Sequence, residues 1–330
     1  MIWKKALPLK HSVTLNSLSR KILRATIIIF VSLIVTELCL RMYFFGFDIF
    51  KKPFFEKSNC PCLSYEMVKN TTYTSTVLNY KKKTEKPFFY FLNSRGFRGK
   101  EFNYTQKIPR VVILGDSVAF GWGINDDKIF STLLGKKFNN KIEIINLAVP
   151  GYNIDEEICS YHNVAGNPAA DILILSFFIN DFDRPIMSKI QALLASKSLV
   201  VRTFIEIIAR SKAKKFDSSI EEKAREIVRN LQNQAREKNF YFLIFVPYHR
   251  GKIIGAYSEF LQYCKSQRID VIGDEESFLM EADHFIPGDG HPSEKGHAIL
   301  AERLGEYLEK RIQTLINDPC RPRNARDKDQ

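Results

Sequence analysis

The sequence predicts an α/β domain, a parallel sheet covered on both faces by helices, with one apolar helix ahead of it near the N-terminus. Three observations carry that expectation. From Arg110 onward, short β-branched or apolar runs alternate with amphipathic stretches of helical period, as parallel strands joined by crossover helices require. The first run, Arg110-Val-Val-Ile-Leu-Gly115, stops at glycine, and Asp116 and Ser117 follow where the chain must leave the sheet. Upstream, a basic segment precedes an uncharged run.

The 330 residues, 45% of them hydrophobic, allow a substantial core and exclude wholesale disorder. The net charge of +12 raises the question of nucleic acid. The basic residues are scattered or terminal and no nucleic-acid motif occurs, so no nucleic-acid partner is expected. The six cysteines show no metal-ligand spacing. Cys60-Pro-Cys62 is the only close pair, and one intervening residue is poor zinc geometry.

Residues 1–24 hold Lys4, Lys5, Lys10, Arg20, Lys21 and Arg24 and no acid, and are expected on the cytoplasmic side. Ala25 to Thr36 is uncharged over twelve residues, short for a span. Glu37 and Arg41, four apart on a helix, can pair and extend the apolar length to Phe45, and no small-residue cleavage site follows. An uncleaved transmembrane anchor over 25–45 is therefore expected, with everything after it outside the cytoplasm. Lys51, Lys52 and Lys57 make the outer flank basic as well. Residues 46–92 read as a membrane-proximal stalk or small extra element, aromatic, lysine-rich and without clean periodicity. Asn70-Thr-Thr and Asn103-Tyr-Thr fit the glycosylation pattern.

A turn at Asn93–Arg98 leads into the main domain, 93–317. After the first strand, Asp126 or Asp127 is expected to open a helix through Phe130, Leu133 and Leu134. A second strand runs from Lys141 to Leu147 and ends at Val149-Pro150-Gly151, and Asn153 with Glu156 forms a capping box for the next helix. A third strand, Asp171–Phe177, ends in Phe178-Ile179-Asn180-Asp181. Residues 183–216 form a partly helical insertion rich in apolar residues and lysine or arginine. It is fitted to cover an acyl pocket, to lie on a membrane face, or to pack as an ordinary insertion. Ser218 or Ser219 caps a long amphipathic helix, followed by a strand at Phe240–Val246, a further helix and a short strand at Asp270–Ile272. The last helix begins after His291-Pro292. Residues 318–330 form a polar tail expected to be disordered.

Ligands bind at the carboxyl ends of parallel strands, and each strand end here offers a specific group. Acyl transfer needs a nucleophile, a base, an orienting acid and donors for the oxyanion. By residue type Ser117 would attack, His291 would take its proton, and Asp289 would hold the imidazole. The Ser117 and Gly151 amides and the Asn180 side chain would bind the oxyanion. His249 follows the fourth strand and is a candidate substrate contact, whereas His297 lies inside the last helix and reads as structural. Asp283 and Glu294 are the rivals for the acid.

The stretches Gly115-Asp116-Ser117, Gly151, Asn180-Asp181 and Asp289-Gly-His291-Pro292 resemble, in order, the consensus blocks of the SGNH (GDSL-type) hydrolase superfamily over residues 93 to 316. The resemblance implies a flavodoxin-like three-layer α/β/α fold and hydrolysis or transfer of acyl groups, with no metal or organic cofactor. Two positions depart from the family: Phe178 stands where glycine is usual, and Gly288 where the acid of Asp-x-x-His is usual. The expected activity is that of a membrane-anchored serine esterase removing acyl groups, O-acetyl among them, from an acylated envelope glycan, lipid or similar ester. An O-acyltransferase on the same residues and a catalytically silent glycan-binding module are the alternatives.

Overall fold

The computed structural model describes residues 17–45, 54–79, 84–102, 108–166, 168–182, 185, 188–211, 218–249, 253–275 and 278–318. Most of the basic N-terminal segment, the Asn103 sequon, Ile186 and Met187 of the insertion, and the tail beyond 318 lie outside the described residues. The chain begins with α1 (Ser17–Phe45), then β1 (Phe55–Lys57), β2 (Tyr65–Met67), β3 (Thr71–Asn79) and β4 (Thr84–Leu92). Next come β5 (Arg110–Gly115), α2 (Ser117–Phe120), α3 (Phe130–Lys137), β6 (Glu143–Asn146), α4 (Ile154–Asn163) and β7 (Ile172–Ser176). The insertion supplies α5 (Lys189–Ala195) and α6 (Leu199–Ser211). The remainder is α7 (Ser218–Lys238), β8 (Tyr241–Phe245), α8 (Gly255–Ser266), β9 (Asp270–Ile272) and α9 (Glu294–Asn317).

Five strands pair in parallel in the order β6-β5-β7-β8-β9. Relabelled within the sheet this is 2-1-3-4-5, the flavodoxin-like winding, and the crevice outside the carboxyl ends of β5 and β7 is its topological switch point. Every residue of β5 and β7 is buried, as continuous apolar runs between two helical layers must be. Arg110 ties the other end of the sheet together. Its backbone N–H donates to Asp171 Oδ2 at 2.8 Å, and its guanidinium reaches Glu143 Oε2 at 2.6 Å and the Ala169 carbonyl at 3.1 Å. In α9, Leu300, Leu304, Leu308 and Ile312 are buried at helical spacing.

Helix starts differ in two places from the sequence reading. Helix α7 already includes Ser218 and Ser219, so neither is its cap. The capping box of Asn153 and Glu156 forms, but neither Asp126 nor Asp127 caps α3, which begins after Ile129 with no side-chain cap. Asp126 is drawn instead to Arg98 and to the Phe91 backbone N–H, which it accepts at 2.9 Å.

Where the composition suggested a stalk, residues 54–79 and 84–92 form two antiparallel ribbons, β1–β2 and β3–β4. The physical reason is a period of two in β4. Phe88, Tyr90 and Leu92 are buried while Phe89 and Phe91 face outward. Phe55, Leu63, Tyr65 and Met67 join the same core as the sheet. A Cys62–Cys159 disulfide fastens this ribbon lobe to α4, and the Cys60 sulfur lies 3.3 Å from Cys62 Sγ and 3.5 Å from Cys159 Sγ. With a sequence separation of 97, that grouping leaves no spacing signal.

Helix α1 is long and apolar enough to cross a membrane over Ser17–Tyr43, and its apolar face is unburied. Glu37 and Arg41 pair on it at 2.7 Å, the spacing having put them one turn apart.

Candidate active site

Gly115 ends β5 because nothing larger fits. An added Cβ would come within 2.6 Å of Ala119 Cβ and 3.1 Å of Ser176 Cβ, so the chain can turn directly into α2 only with hydrogen at this position. Asp116 caps that short helix, its Oδ1 accepting the Val118 N–H at 2.8 Å. Ser117 is therefore held at the helix start, at the carboxyl end of β5. Arg98, buried, closes the far end of α2 by donating to the carbonyls of Phe120 at 2.9 Å and Gly121 at 2.8 Å.

His291 arrives from the loop before α9. Its Nε2 lies 2.9 Å from Ser117 Oγ, and its Nδ1 is hydrogen-bonded to Asp289 Oδ1. The two-residue spacing works because Gly290 takes φ 95°, a left-handed conformation that lets the carboxylate fold back onto its neighbour's ring. The rival acids are placed elsewhere. Asp283 is ion-paired to Lys295 at 2.6 Å, and Glu294 is the first residue of α9. His291 and Asp289 keep about a quarter of their side chains exposed, 26% and 23%, so the pair is open to an incoming molecule.

Asn180 stands in a 3-10 turn, Ile179–Phe182, directly after β7. Its Nδ2 donates to Asp116 Oδ2 at 2.7 Å, which fixes the amide beside the serine and leaves the second Nδ2 hydrogen to point elsewhere. Asp181, wholly buried, accepts the Phe178 N–H at 2.7 Å and so closes the turn. The Gly151 loop is brought to the same strand end through Val149, whose N–H donates to the Gly115 carbonyl at 3.0 Å. Tyr65 of the ribbon lobe donates its hydroxyl to the Pro150 carbonyl at 2.7 Å, and Tyr152 donates to the Tyr65 carbonyl at 2.6 Å. Burial pushes both phenols well above their ordinary range, which keeps them neutral donors.

Phe178, in place of glycine, packs its ring 4.9 Å from Tyr248, which packs at 4.9 Å against Phe285. Tyr248 also donates to the Gly290 carbonyl at 3.3 Å, so this aromatic row braces the Asp289–His291 loop. His249, the candidate substrate contact, is buried with Nε2 3.0 Å from the Glu275 carbonyl. His297 is fully buried, stacked on Phe130, and accepts the Phe130 N–H at Nδ1. Sequence reasoning missed Asp116, Arg98, Tyr65, Tyr152 and Tyr248 as supports of the site. Only Asp116 carried a signal, as an acid directly before the serine at a helix start.

Two groups of potential metal ligands occur among the described residues, Cys60 with Cys62 and Cys159, and Glu281 with Asp283 and His284. Neither includes Ser117, Asp289 or His291.

No family model and no curated protein matches the sequence. Among solved structures, an acetyl xylan esterase, AlAXEase, is 15% identical with a TM-score of 0.43, over 60% of this chain and 99% of that one. A lipase/acylhydrolase from Enterococcus faecalis is 14% identical with a TM-score of 0.42, over 62% of this chain and 97% of that one. A GDSL-like lipase from Bacteroides thetaiotaomicron VPI-5482 is 13% identical with a TM-score of 0.38, over 61% of this chain and 88% of that one. At such identities and TM-scores the likeness says nothing of substrate. The strand order is that of a flavodoxin-like α/β/α fold, and the four sequence blocks, apart from the departures at Phe178 and Gly288, resemble those of the SGNH (GDSL-type) hydrolases.

Proposed function

We propose that this chain is a membrane-anchored serine esterase that removes acyl groups from an ester carried by an envelope glycan or lipid. The observation that carries the reading is the connected path Asp289–His291–Ser117, with the imidazole 2.9 Å from the serine oxygen. Ser117 Oγ attacks the ester carbonyl as His291 Nε2 takes its proton, and the Asp289 carboxylate stabilises the imidazolium that forms. The Ser117 and Gly151 amides and Asn180 Nδ2 hold the oxyanion. His291 then protonates the departing alkoxide, leaving an acyl-serine. Water, deprotonated by the same imidazole, attacks the acyl-serine and releases the acid. A sugar hydroxyl in place of that water would give acyl transfer with no other change in the residues used.

Helix α1 acts as the anchor in this reading, with the catalytic domain outside the cytoplasm. The basic residues before Ala25 support that orientation, and so does the Cys62–Cys159 disulfide, since such bonds persist in oxidising compartments. The test is chemical. A fluorophosphonate should label Ser117, short-chain p-nitrophenyl esters should be cleaved, and Ser117→Ala should abolish both. Ester cleavage that survives Ser117→Ala would overturn the mechanism. Absence of both labelling and cleavage across a broad acyl panel would favour the silent glycan-binding module.

A further inference from the structure

Helices α5 and α6 turn the ordinary pattern of a surface helix inside out. Helix α5 is seated on β1 and β2 of the ribbon lobe and α6 packs against α5 and α1, with Ala192, Ala195, Leu199 and Ile205 buried. Polar contacts fix that seat. Lys189 Nζ donates to the Cys60 carbonyl at 2.9 Å, and the Arg202 guanidinium lies 3.9 Å over the Phe54 ring. The outer face carries the large residues. On α5, Ile190, Leu193 and Leu194 recur at helical spacing, Ile190 being 73% exposed. On α6, Phe204 and Ile207 do the same, Phe204 being 63% exposed. Two adjoining exposed apolar rows of this kind need a cover.

The occupant follows from what holds α6. Glu37 of α1 accepts the Leu199 N–H at 3.1 Å, the Val200 N–H at 3.0 Å and the Ser198 hydroxyl at 2.8 Å. Arg41 donates to the Lys197 carbonyl at 2.9 Å. The uncharged run between Arg24 and Glu37 is about 20 Å long at ~1.5 Å per residue, short of the ~30 Å of a hydrocarbon core. A span centred on that run therefore draws Glu37 and Arg41 to the headgroup boundary or below it. The first amides of α6 are bonded to Glu37, so they sit at the same depth.

We propose that α5 and α6 are an interfacial element that lies in the outer surface of the same bilayer, its apolar rows turned into the lipid and its depth set by Glu37. The proposal rests on the reading of α1 as a membrane span. It ties the active site to the membrane through the chain, because α5 opens nine residues after Asn180. The ester that reaches Ser117 is then one presented at the lipid surface.

The test uses the full chain in vesicles of phosphatidylcholine and phosphatidylglycerol whose acyl chains carry bromine near the top or near the middle. Tryptophan is introduced singly as Phe204→Trp, Leu193→Trp, Ile28→Trp on α1, or Asn230→Trp on the exposed side of α7, and the parent signal is subtracted. Quenching at 204 and 193 should exceed that at 230 by about twofold or more, and shallow bromine should be more effective than deep, as for a helix embedded ~5–10 Å. Glu37→Gln should reduce the quenching at 204. Quenching at 204 and 193 no greater than at 230, with Ile28→Trp quenched, would overturn the interfacial element and leave the anchor standing. No quenching at 28 either would remove the anchor and this inference with it. Fluorophosphonate labelling of Ser117 in the same vesicles reports on the esterase reading separately.

Discussion

Asp116 accepts the side-chain amide of Asn180 at 2.7 Å while its other oxygen caps the helix that starts at Ser117. One carboxylate thus orients both the helix of the proposed nucleophile and the proposed oxyanion donor. Asn180→Ala should lower kcat by roughly 10²–10³, the size of effect expected for one lost oxyanion donor. Asp116→Asn presents an amide where a carboxylate stood, and an amide N–H facing Asn180 would turn that side chain away. It should therefore lower kcat in the same direction with little change in KM. Because both variants act on one donor, the double variant should be scarcely worse than the worse single one. Fully additive losses in a double-mutant cycle would show that Asp116 does not act through Asn180.

The acid of the proposed triad gives a second expectation. Asp289→Asn should reduce kcat by up to ~10⁴ with little loss of stability, since the imidazole would lose both its tautomer preference and its counter-charge. Asp283→Asn should be near neutral, its carboxylate being engaged by Lys295 on the surface. Glu294→Gln should also have little effect. Steady-state kinetics on a p-nitrophenyl ester would decide. Near-normal turnover by Asp289→Asn alongside collapse in either rival would move the role.

What the sequence made legible follows from what was local in it. The strands at Arg110–Gly115 and Asp270–Ile272 and the box at Asn153–Glu156 depend on neighbours a few positions away, and they form where the pattern put them. The serine, asparagine and histidine could be singled out because a parallel sheet sends each strand end to one side. The supports of the site depend on distant contacts. Tyr65 reaches Pro150 across 85 positions, and Cys62 reaches Cys159 across 97. Arg98 looked like part of a turn because nothing near it in sequence announces the carbonyls at the end of α2. The ribbon lobe was hidden for a related reason. β1 and β2 are only three residues each, and in β4 only the burial of alternate aromatics distinguishes a strand from a stalk.

The disulfide yields a third expectation. Cys159→Ala removes the only covalent tie between α4 and the ribbon lobe among the described residues, at a typical cost of ~2–4 kcal/mol, or a Tm lower by roughly 4–16 °C. Cys62→Ala should cost less, because Cys60 stands 3.5 Å from the Cys159 sulfur and can take over the bond. Non-reducing peptide mapping of Cys62→Ala should find Cys60 joined to Cys159. Equal Tm losses in the two variants, with no such link, would refute the substitution of one partner for the other.

Three buried groups set how stability responds to pH. Burial pushes Glu156 up to about 7 from an ordinary 4.5, against the opposing hydrogen bond from Asn153. Glu157, whose two carboxyl oxygens are buried without a hydrogen-bond partner among the described residues, is pushed well above 4.5 by burial and then by the charges of Asp181, Asp116 and Glu156. Burial pushes His297 down to about 3 from 6.5. The folded state binds more protons than the unfolded chain at both glutamates once the pH exceeds 4.5, so their contribution to stability falls as pH rises. His297 acts oppositely. Its contribution is complete above 6.5 and is lost as pH falls toward 3. As pH rises from 6.5 through about 7, only the glutamates of these three work on the balance, and Tm should fall. Glu157→Gln keeps the shape of the protonated acid and cannot ionise, so it should raise Tm at pH 8.5 and change it less at pH 5. Scanning calorimetry of the full chain at the two pH values measures this. A variant that lowers Tm equally at both would show that Glu157 is not held as a buried neutral acid.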